Sequence, residues 1–303
     1  MQKTERIWFD GALVPWDAAQ VHVLTHTLHY GLGVFEGIRC YACDDGRSAI
    51  FRLREHIDRL FGSAHILDLP IPHPRERLME ACIETVRANR LRECYIRPIV
   101  FMGDGDMGVA ARPATRVAVA AWPWGAYLGD EGLQKGVRVK TSSFQRFHPN
   151  TLLTKAKATG HYVNSILASR EVRTAGYDEA LLLDVDGYVS EASGENIFIV
   201  TDGVVKTTPL PTVLAGITRQ AVVRLLADLD IPCREERFTR DEVYLADEAF
   251  FTGTAVEVTP IRELDDKRIG TGAPGPLTQR LQELFFAIVR GREERYRAWL
   301  SYL

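Results

Sequence analysis

The sequence predicts a two-domain protein of the α/β class with α+β character. The chain has 303 residues, which is enough for about two domains of typical size. Strand-like apolar runs alternate with segments of helical periodicity along its length. A stretch that mixes turn-forming and aromatic residues, 123–136, is the predicted linker between a small N-terminal domain, 1–122, and a large C-terminal domain, 137–303.

Composition excludes several classes of protein. Hydrophobic residues make up 46% of the chain, which is too many for a mainly disordered protein. Its 37 basic and 40 acidic residues give a net charge of −3, so no basic surface for nucleic acid or an anionic membrane is expected. No window approaches the roughly 20 apolar residues of a spanning helix, and the first residues lack the apolar core of a signal peptide. We expect a cytoplasmic protein whose partners are small molecules or another copy of itself.

The N-terminal domain begins with a predicted hairpin, because Asp10-Gly11 separates two short apolar runs within 7–14. Apolar residues at helical spacing predict helices that begin near Leu53 and Leu78. The β-rich runs 95–101 and 116–121 predict two strands.

Strands predominate in the C-terminal domain, where Asp-Gly turns separate short apolar runs. A helix is predicted over 156–175, a second follows Gly216, and a third begins near Pro276. The predicted strands cover 137–142, 179–184, 188–190, 196–200 and 204–208.

Cysteine and histidine residues raise the question of a metal or redox site. Cys40 and Cys43 form a C-x-x-C pair, but no second pair of ligands is suitably spaced, so we interpret them as incidental thiols near a turn. His22, His26 and His29 are spaced like ligands on a helix. Their segment is rich in β-branched residues and no carboxylate is near, so we interpret them as structural. No metal site is predicted.

Two turns are candidates for binding an anion. Gly216 directly precedes an amphipathic helix, so the N–H groups of Ile217 and Thr218 would be directed towards an anion, although many capped helices bind nothing. The turn that contains Thr254 and Ala255 follows an apolar strand. It either supplies hydroxyl and amide donors to the same anion or is a plain loop.

Two lysines, Lys155 and Lys157, lie among alanine, threonine and glycine. Lone lysines are usually solvated, but small neighbours leave room for a planar ligand. The residues alone do not decide between the two lysines.

Several ordered motifs together resemble a known family. The spacing E-x-S-x-x-N-[apolar]-F in 190–198, followed by Leu-Ala-Gly-Ile-Thr-Arg in 214–219, resembles class IV pyridoxal-phosphate aminotransferases. Within that class, further segments resemble branched-chain amino acid aminotransferases, and the similarity extends from about residue 7 to the last predicted helix. These segments are 29–39, 95–98, 105–109 and 124–129.

The resemblance implies a fold type IV, D-amino acid aminotransferase-like enzyme that uses pyridoxal 5′-phosphate. It implies transfer of the amino group between L-leucine, L-isoleucine or L-valine and 2-oxoglutarate by a ping-pong route. It also implies a homodimer or a higher homo-oligomer. The alternatives on the same fold are a D-amino acid or (R)-amine transaminase and an aminodeoxychorismate lyase.

The resemblance assigns the cofactor-binding residues. Lys157, in the T-x-A-K pattern, matches the lysine that forms the aldimine and then moves the proton between substrate Cα and cofactor C4′. Glu191 matches the partner of the pyridine nitrogen, Tyr162 the donor to the phenolic oxygen, and Leu214 the residue that packs on the ring. The expected phosphate-binding set is Arg59, Ile217, Thr218 and Thr254, and Gly216 is a further expected cofactor-binding residue.

The resemblance also assigns the substrate-binding residues. Tyr95 and the Thr254–Ala255 turn would bind the α-carboxylate, and Arg97 would bind the distal carboxylate of glutamate. The residues expected to surround the apolar side chain are Tyr30, Phe35, Gly37, Trp124 and Tyr127. Met107 and Val109 are expected to contribute from the neighbouring subunit.

Overall fold

The computed structural model describes residues 2–125 and 127–303. The described chain divides into two compact units. The first contains the described residues up to Gly125 together with Ala156–Gly160 and Ala287–Leu303. The second contains the described residues of Ala126–Lys155 and all of His161–Phe286.

Strands and helices are numbered in chain order over the described residues. The strands are β1 (Arg6–Phe9), β2 (Ala12–Pro15), β3 (Gly33–Phe35), β4 (Ile38–Ala42), β5 (Ser48–Phe51), β6 (Cys94–Met102), β7 (Thr115–Trp122), β8 (Val137–Thr141), β9 (Glu179–Leu183), β10 (Val189–Ala192), β11 (Asn196–Thr201), β12 (Val204–Thr207), β13 (Cys233–Glu235), β14 (Glu248–Gly253), β15 (Glu257–Leu264), β16 (Lys267–Arg268) and β17 (Leu300–Tyr302). The α-helices are α1 (His26–Tyr30), α2 (Leu53–Ile66), α3 (Arg75–Ala88), α4 (Gly129–Lys135), α5 (Tyr162–Thr174), α6 (Ile217–Asp228), α7 (Arg240–Leu245) and α8 (Pro276–Val289).

The first unit is built on an antiparallel sheet with the strand order β17-β5-β4-β6-β7-β1-β2, and β3 also pairs with β6. The predicted hairpin is confirmed: β1 and β2 pair through a turn in which Asp10 and Gly11 have φ values of 45° and 104°. Glycine adopts that left-handed backbone without strain, which is why an Asp-Gly pair favours such a turn.

Helices α2 and α3 pack their apolar faces into the core of the first unit. Ile57, Leu60, Leu78 and Val86 are fully buried in one cluster with Trp8 of β1. With Ala64 and Cys82 of the same cluster, the buried residues of each helix recur at three- and four-residue intervals, the spacing that predicted the two helices.

The second unit is built on a mixed sheet with the strand order β10-β9-β8-β15-β14-β11-β12-β13, and β16 pairs with β15. Parallel pairing occurs between β8 and β9, β8 and β15, and β12 and β13. Phe198 and Phe250 face each other across β11 and β14, with ring centroids 5.0 Å apart. The sheet thus carries both the 190–198 motif, on β10 and β11, and the strand before the 254–255 turn.

The helix predicted over 156–175 is wrong in its first turn and a half, because α5 begins only at Tyr162. Residues 156–160 are not helical, and an isolated bridge joins Ala158 to Val34 of β3. The Thr159 N–H donates to the Gly33 carbonyl oxygen at 2.8 Å, and the Gly160 N–H donates to the Gly31 carbonyl oxygen, just before β3, at 3.0 Å. This pairing with a distant strand overrides the helical preference of the alanines and places the segment in the first unit.

Two further segments differ from the expected organisation. Helix α4 lies within the predicted linker. The end of the chain belongs to the first unit, because Leu300–Tyr302 forms β17 and pairs with β5.

The cysteines and histidines of interest have local structural roles. All five cysteines are free thiols, and Cys40 lies opposite Cys94 in the β4–β6 pair. His26 is buried with its Nε2 atom 3.0 Å from the Gly108 carbonyl oxygen. Among the described residues, no group of three or more His, Cys, Asp or Glu side chains is placed to hold a metal ion. Nor does any described helix combine the length and apolar character needed to cross a membrane.

Candidate active site

Lys157 lies in the non-helical segment 156–160, next to the Ala158 bridge to β3. The Phe35 N–H donates to the Lys157 carbonyl oxygen at 3.1 Å, and the Lys157 N–H donates to Ser63 Oγ at 3.0 Å. The main chain of Lys157 is therefore bonded to a strand on one side and to helix α2 on the other. These bonds fix the main chain of Lys157, so the position of its amine depends on the conformation of the lysine side chain.

The ring of Phe35 brings Lys157 and Arg97 together. The Lys157 Nζ atom lies 5.1 Å from the ring centroid, and the Arg97 guanidinium carbon lies 4.6 Å from it. The face of an aromatic ring attracts cations at such distances. Three residues expected in the site from sequence are thus neighbours in the first unit.

Tyr95 of β6 is held by the rings of Trp122, at the end of β7, and of Trp124, just beyond it. Its ring centroid lies 4.5 Å from that of Trp124 and 5.5 Å from that of Trp122, and the Arg97 guanidinium carbon lies 5.3 Å from it. A Cβ atom on Gly37 would lie 2.7 Å from the Tyr95 Cζ atom and closer still to its hydroxyl. Residue 37 must therefore be glycine for Tyr95 to occupy this position.

Arg59, the expected phosphate ligand of the first unit, lies on α2. Its guanidinium donates two hydrogen bonds to the Glu36 carboxylate, at 2.6 and 2.9 Å, and the His56 Nδ1 atom lies 2.7 Å from the same carboxylate. Sequence analysis gave Glu36 and His56 no role. Because His56 and Arg59 are three residues apart, the sequence indicates that they share one face of a helix. It does not indicate that both contact Glu36.

The remaining first-unit candidates are exposed. Tyr30, at the end of α1, is 43% exposed and packs on His26 with ring centroids 4.5 Å apart. Met107 and Val109 lie between β6 and β7, and the Val109 side chain is 93% exposed. An apolar side chain so exposed is a feature that a partner subunit would explain.

Glu191 is a buried carboxylate on β10 of the second unit. The Arg146 Nε atom lies 2.7 Å from one carboxylate oxygen, and the Leu214 N–H donates to the other at 3.1 Å. No motif in the sequence marks Arg146 as a partner of Glu191. A buried glutamate signals that a cation must be near, but does not tell which of many arginines supplies it.

Lys155 differs from Lys157 in what it contacts. Its ammonium group donates to the carbonyl oxygens of Leu210 and Val213, the latter at 3.0 Å. Burial lowers the pKa of Lys155, and the nearby Glu191 charge acts in the opposite direction. Lys155 thus stabilises the loop before α6. This structural role explains why a second lysine lies next to Lys157.

The N-terminus of α6 is tightly packed. Asn196 Nδ2 donates to the Leu214 carbonyl oxygen at 3.0 Å, and a Cβ atom on Gly216 would collide with the Asn196 side chain. Ile217 and Thr218, the first residues of α6, are buried. A helix N-terminus favours an anion through its dipole and its N–H groups, whereas the lack of a Cβ atom at Gly216 is required by the Asn196 side chain.

A buried hydroxyl lies next to this helix start. Thr252 pairs with Asn196 across β14 and β11, and its hydroxyl has no hydrogen-bond partner among the described residues. Thr254 and Ala255 follow in the turn between β14 and β15, and Tyr162 is the first residue of α5. A phosphate group requires hydrogen-bond donors, and the unpartnered Thr252 hydroxyl near the start of α6 is a suitable one.

Tyr127 lies at the start of the second unit. Burial raises its pKa to about 12, and the charges of Glu195 and Glu179 act in the same direction. A side-chain hydrogen bond with Arg173 acts in the opposite direction on this pKa, and the phenol keeps its proton at neutral pH.

The motifs on β10 and β11, the buried Glu191 and the start of α6 agree with a comparison with known families. The Amino-transferase class IV family matches residues 33–264. The chain belongs to this family. The predicted family and its mixed α/β fold are confirmed.

Individual relatives are similar over almost their whole length. The branched-chain-amino-acid aminotransferase of Pseudomonas aeruginosa is 53% identical over 294 residues, which cover 97% of this chain and 95% of the relative. The crystal structure of the Escherichia coli branched-chain amino acid aminotransferase superposes with a TM-score of 0.96 at 47% identity, covering 99% of both chains.

A branched-chain amino acid aminotransferase from T.th. has been solved in two informative complexes. The complex with pyridoxamine 5′-phosphate has a TM-score of 0.96 at 49% identity and covers 100% of this chain and 99% of its own. The complex with N-(5′-phosphopyridoxyl)-L-glutamate has a TM-score of 0.95 at 47% identity, with the same coverage.

Proposed function

We propose that this protein is a pyridoxal-phosphate-dependent branched-chain amino acid aminotransferase. It transfers the amino group between L-leucine, L-isoleucine or L-valine and 2-oxoglutarate by a ping-pong route. The observation that carries the proposal is the arrangement around Phe35, where the amine of Lys157 and the guanidinium of Arg97 lie at one aromatic ring. An apolar wall suits a branched side chain, and a cation beside it suits the second carboxylate of glutamate.

The donor set of each unit fits pyridoxal phosphate. The first unit offers the amine of Lys157 and the guanidinium of Arg59, and the second offers the Glu191 carboxylate and the α6 N-terminus. The orphaned Thr252 hydroxyl is a feature that a bound phosphate would explain. When bound, this cofactor supplies the electron sink that stabilises negative charge at the substrate Cα.

In the first unit, the amine of Lys157 would hold the cofactor and, once displaced by the substrate amine, would move the proton at the substrate Cα. Arg59 binds the phosphate. Tyr95 donates to the α-carboxylate of the substrate, and Arg97 binds the distal carboxylate of glutamate. Phe35 and its aromatic neighbours exclude water from the substrate side chain.

In the second unit, Glu191 would hold the pyridine nitrogen of the cofactor and favour its protonated form. Arg146 and the Leu214 N–H orient that carboxylate. Tyr162 donates to the phenolic oxygen. The residues proposed to bind the phosphate through N–H and hydroxyl groups are Ile217, Thr218 and Thr254, with Ala255 contributing to the α-carboxylate site.

We further propose that the active form is a homodimer. Val109 is 93% exposed and Met107 is 40% exposed. Other apolar side chains of the first unit, Val23 and Leu28, are 71% and 63% exposed. Isolated monomers rarely leave apolar side chains in such numbers at the surface, whereas a self-associating face does so. Sedimentation of the purified protein checks this, and Val109→Asp should shift the equilibrium towards monomer with loss of activity.

We also propose a cytoplasmic location. All five cysteines are free thiols, including Cys40 and Cys94, which face each other across a strand pair. Neighbouring reduced thiols are typical of a reducing compartment.

The test of the proposed reaction is a panel of amino donors with 2-oxoglutarate, in which glutamate formation is measured. Both enantiomers of leucine and alanine are included beside L-isoleucine and L-valine. We expect activity with the three branched-chain L-amino acids. Activity with D-alanine alone, or no glutamate from any donor, would overturn the proposal.

A further inference from the structure

A buried glutamate joins two residues of α2 in the first unit. Glu36 lies between β3 and β4 and is fully buried, and its N–H donates to the Pro98 carbonyl oxygen at 2.9 Å. Its carboxylate accepts two bonds from Arg59, from Nε at 2.6 Å and from Nη2 at 2.9 Å. It also lies 2.7 Å from His56 Nδ1 and 3.3 Å from the Gly37 N–H, which donates to it.

The charges of this group are balanced. Burial opposes ionisation of Glu36, but the positive charge of Arg59 and the contact with His56 outweigh it and hold the pKa of Glu36 well below its ordinary value. Burial lowers the pKa of His56 despite the nearby Glu36 charge, so the imidazole is neutral. Its Nε2 atom has no hydrogen-bond partner among the described residues, which fits a neutral ring that donates through Nδ1.

The geometry restricts Arg59 more than a single ion pair would. Two near-parallel bonds from Nε and Nη2 set the plane of the guanidinium, and the side chain is only 15% exposed. Glu36 is in turn held by backbone bonds and by His56, so it cannot follow Arg59 if Arg59 moves. A long, flexible side chain is thereby ordered before any ligand arrives, which reduces the entropy that binding must overcome.

We propose that Glu36, supported by His56, is a positioning residue that orients the Arg59 guanidinium for the phosphate of the cofactor. This inference rests on the proposed function, in which Arg59 is a phosphate ligand. Removal of the Glu36 charge would by itself increase the attraction of Arg59 for an anion. The positioning role predicts the opposite sign, because an unrestrained arginine loses its orientation.

The experiment compares the affinity of the apoenzyme for pyridoxal 5′-phosphate with its affinity for pyridoxal, which lacks the phosphate. Both are measured by absorbance titration. Glu36→Gln is expected to reduce the preference for the phosphorylated form by about tenfold while the affinity for pyridoxal stays the same. Arg59→Ala should reduce the preference at least as much, and adding Glu36→Gln to it should cause no further loss.

The matched control is Glu84→Gln on α3. Glu84 accepts the same kind of paired bonds from Arg77, at 2.8 and 3.0 Å, outside the proposed site. This variant should leave the preference for phosphate unchanged.

Each other outcome contradicts a defined part of the reasoning. An unchanged preference in Arg59→Ala would refute Arg59 as a phosphate ligand, and with it that part of the proposed function. A loss in Arg59→Ala but not in Glu36→Gln would refute the positioning role alone. If Glu36→Gln weakens the binding of pyridoxal 5′-phosphate and of pyridoxal equally, the role of Glu36 is purely structural and the positioning role is refuted. If Glu36→Gln binds pyridoxal 5′-phosphate more tightly, Glu36 only compensates the charge of Arg59, and the positioning role is refuted as well.

A second variant covers the case in which Glu36→Gln does not fold. His56→Asn keeps the Glu36–Arg59 pair and removes only the imidazole that supports it. The preference for the phosphorylated form should fall by about threefold, the effect expected for a weakened neutral hydrogen bond. An unchanged preference in this variant would refute the supporting role of His56 and, if Glu36→Gln is unfolded, the proposal as a whole.

Discussion

The contact between Gly37 and Tyr95 makes a single methyl group a sensitive probe of the substrate site. In a Gly37→Ala variant, the added Cβ atom would lie 2.7 Å from the Tyr95 Cζ atom and closer to the hydroxyl. Gly37 does not have a positive φ, so the backbone tolerates alanine and the cost comes from this crowding. Trp122 and Trp124 flank the tyrosine ring and oppose its movement.

The displacement follows from ordinary contact distances. To increase the separation from 2.7 Å to the 3.4 Å of normal contact, the ring must move by about 0.7 Å at Cζ, and the hydroxyl must move further. A misplacement of about 1 Å in a positioning group can lower a rate by roughly 10²-fold. We therefore expect kcat/KM for L-leucine to fall by roughly 10²-fold, which corresponds to ~2.7 kcal/mol of transition-state stabilisation.

The assay is steady-state transamination of L-leucine with 2-oxoglutarate, together with titration of the apoenzyme with pyridoxal 5′-phosphate. The cofactor affinity should remain within about twofold of the unmodified protein, since Tyr95 is proposed to bind substrate and not cofactor. Overpacking should also lower the free energy of unfolding by about 1–3 kcal/mol, which thermal denaturation measures.

Two further variants isolate the cause. Gly62→Ala on α2 introduces the same methyl group where no atom lies within 4 Å, so activity should not change and stability should rise slightly. Tyr95→Phe removes the hydroxyl without crowding and should lower kcat/KM in the same direction. If Gly37→Ala retains full activity, or if Tyr95→Phe does, the assignment of the Tyr95 hydroxyl to substrate binding is wrong.

Three further predictions concern the second unit. Gly216→Ala would push against Asn196 at the start of α6, and the affinity for pyridoxal 5′-phosphate should fall about tenfold; unchanged affinity would remove α6 from the phosphate site. Burial raises the pKa of Glu179, so the folded state binds its proton more tightly than the unfolded state and loses stability as pH rises above the unfolded pKa. The melting temperature of Glu179→Gln relative to the unmodified protein should therefore increase from about pH 5 to about pH 8, and a flat difference would contradict the shift. Lys155→Met removes two hydrogen bonds to the loop before α6 and should lower stability by ~1 kcal/mol in thermal denaturation, with covalent cofactor attachment retained; loss of attachment would mean that Lys155 has a chemical role.

Local chemistry made some elements predictable. Asp10-Gly11 specifies a turn with two positive φ values, and only short-range contacts are needed to form that hairpin. The α2 and α3 helices follow from the spacing of apolar residues that meet one core.

Long-range pairing explains what the sequence could not predict. Ala156 and Ala158 favour a helix, but the segment around them pairs with β3, which is more than a hundred residues earlier in the chain. Leu300–Tyr302 likewise becomes a strand only because β5 is there to pair with it. Neither partner is visible in a local pattern of hydrophobicity.

In the candidate site, long-range contacts of single side chains are likewise not visible in the sequence. The resemblance to aminotransferases predicts Lys157, Glu191 and Arg59 as site residues, because each matches a position that the family assigns to the cofactor. The residues that hold these groups, Glu36 for Arg59 and Arg146 for Glu191, are fixed by packing across the fold. Burial shows that a charge needs a partner, and only the three-dimensional structure shows which residue supplies it.

The most direct test of the account is to identify the lysine that carries the cofactor. Protein loaded with pyridoxal 5′-phosphate is reduced with borohydride and digested, and the modified peptide is sequenced by mass spectrometry. We expect the pyridoxyl group on Lys157, whose backbone is fixed between β3 and α2 and whose amine lies at the Phe35 ring. Modification of Lys155, or of no lysine in this segment, would contradict the proposed active site.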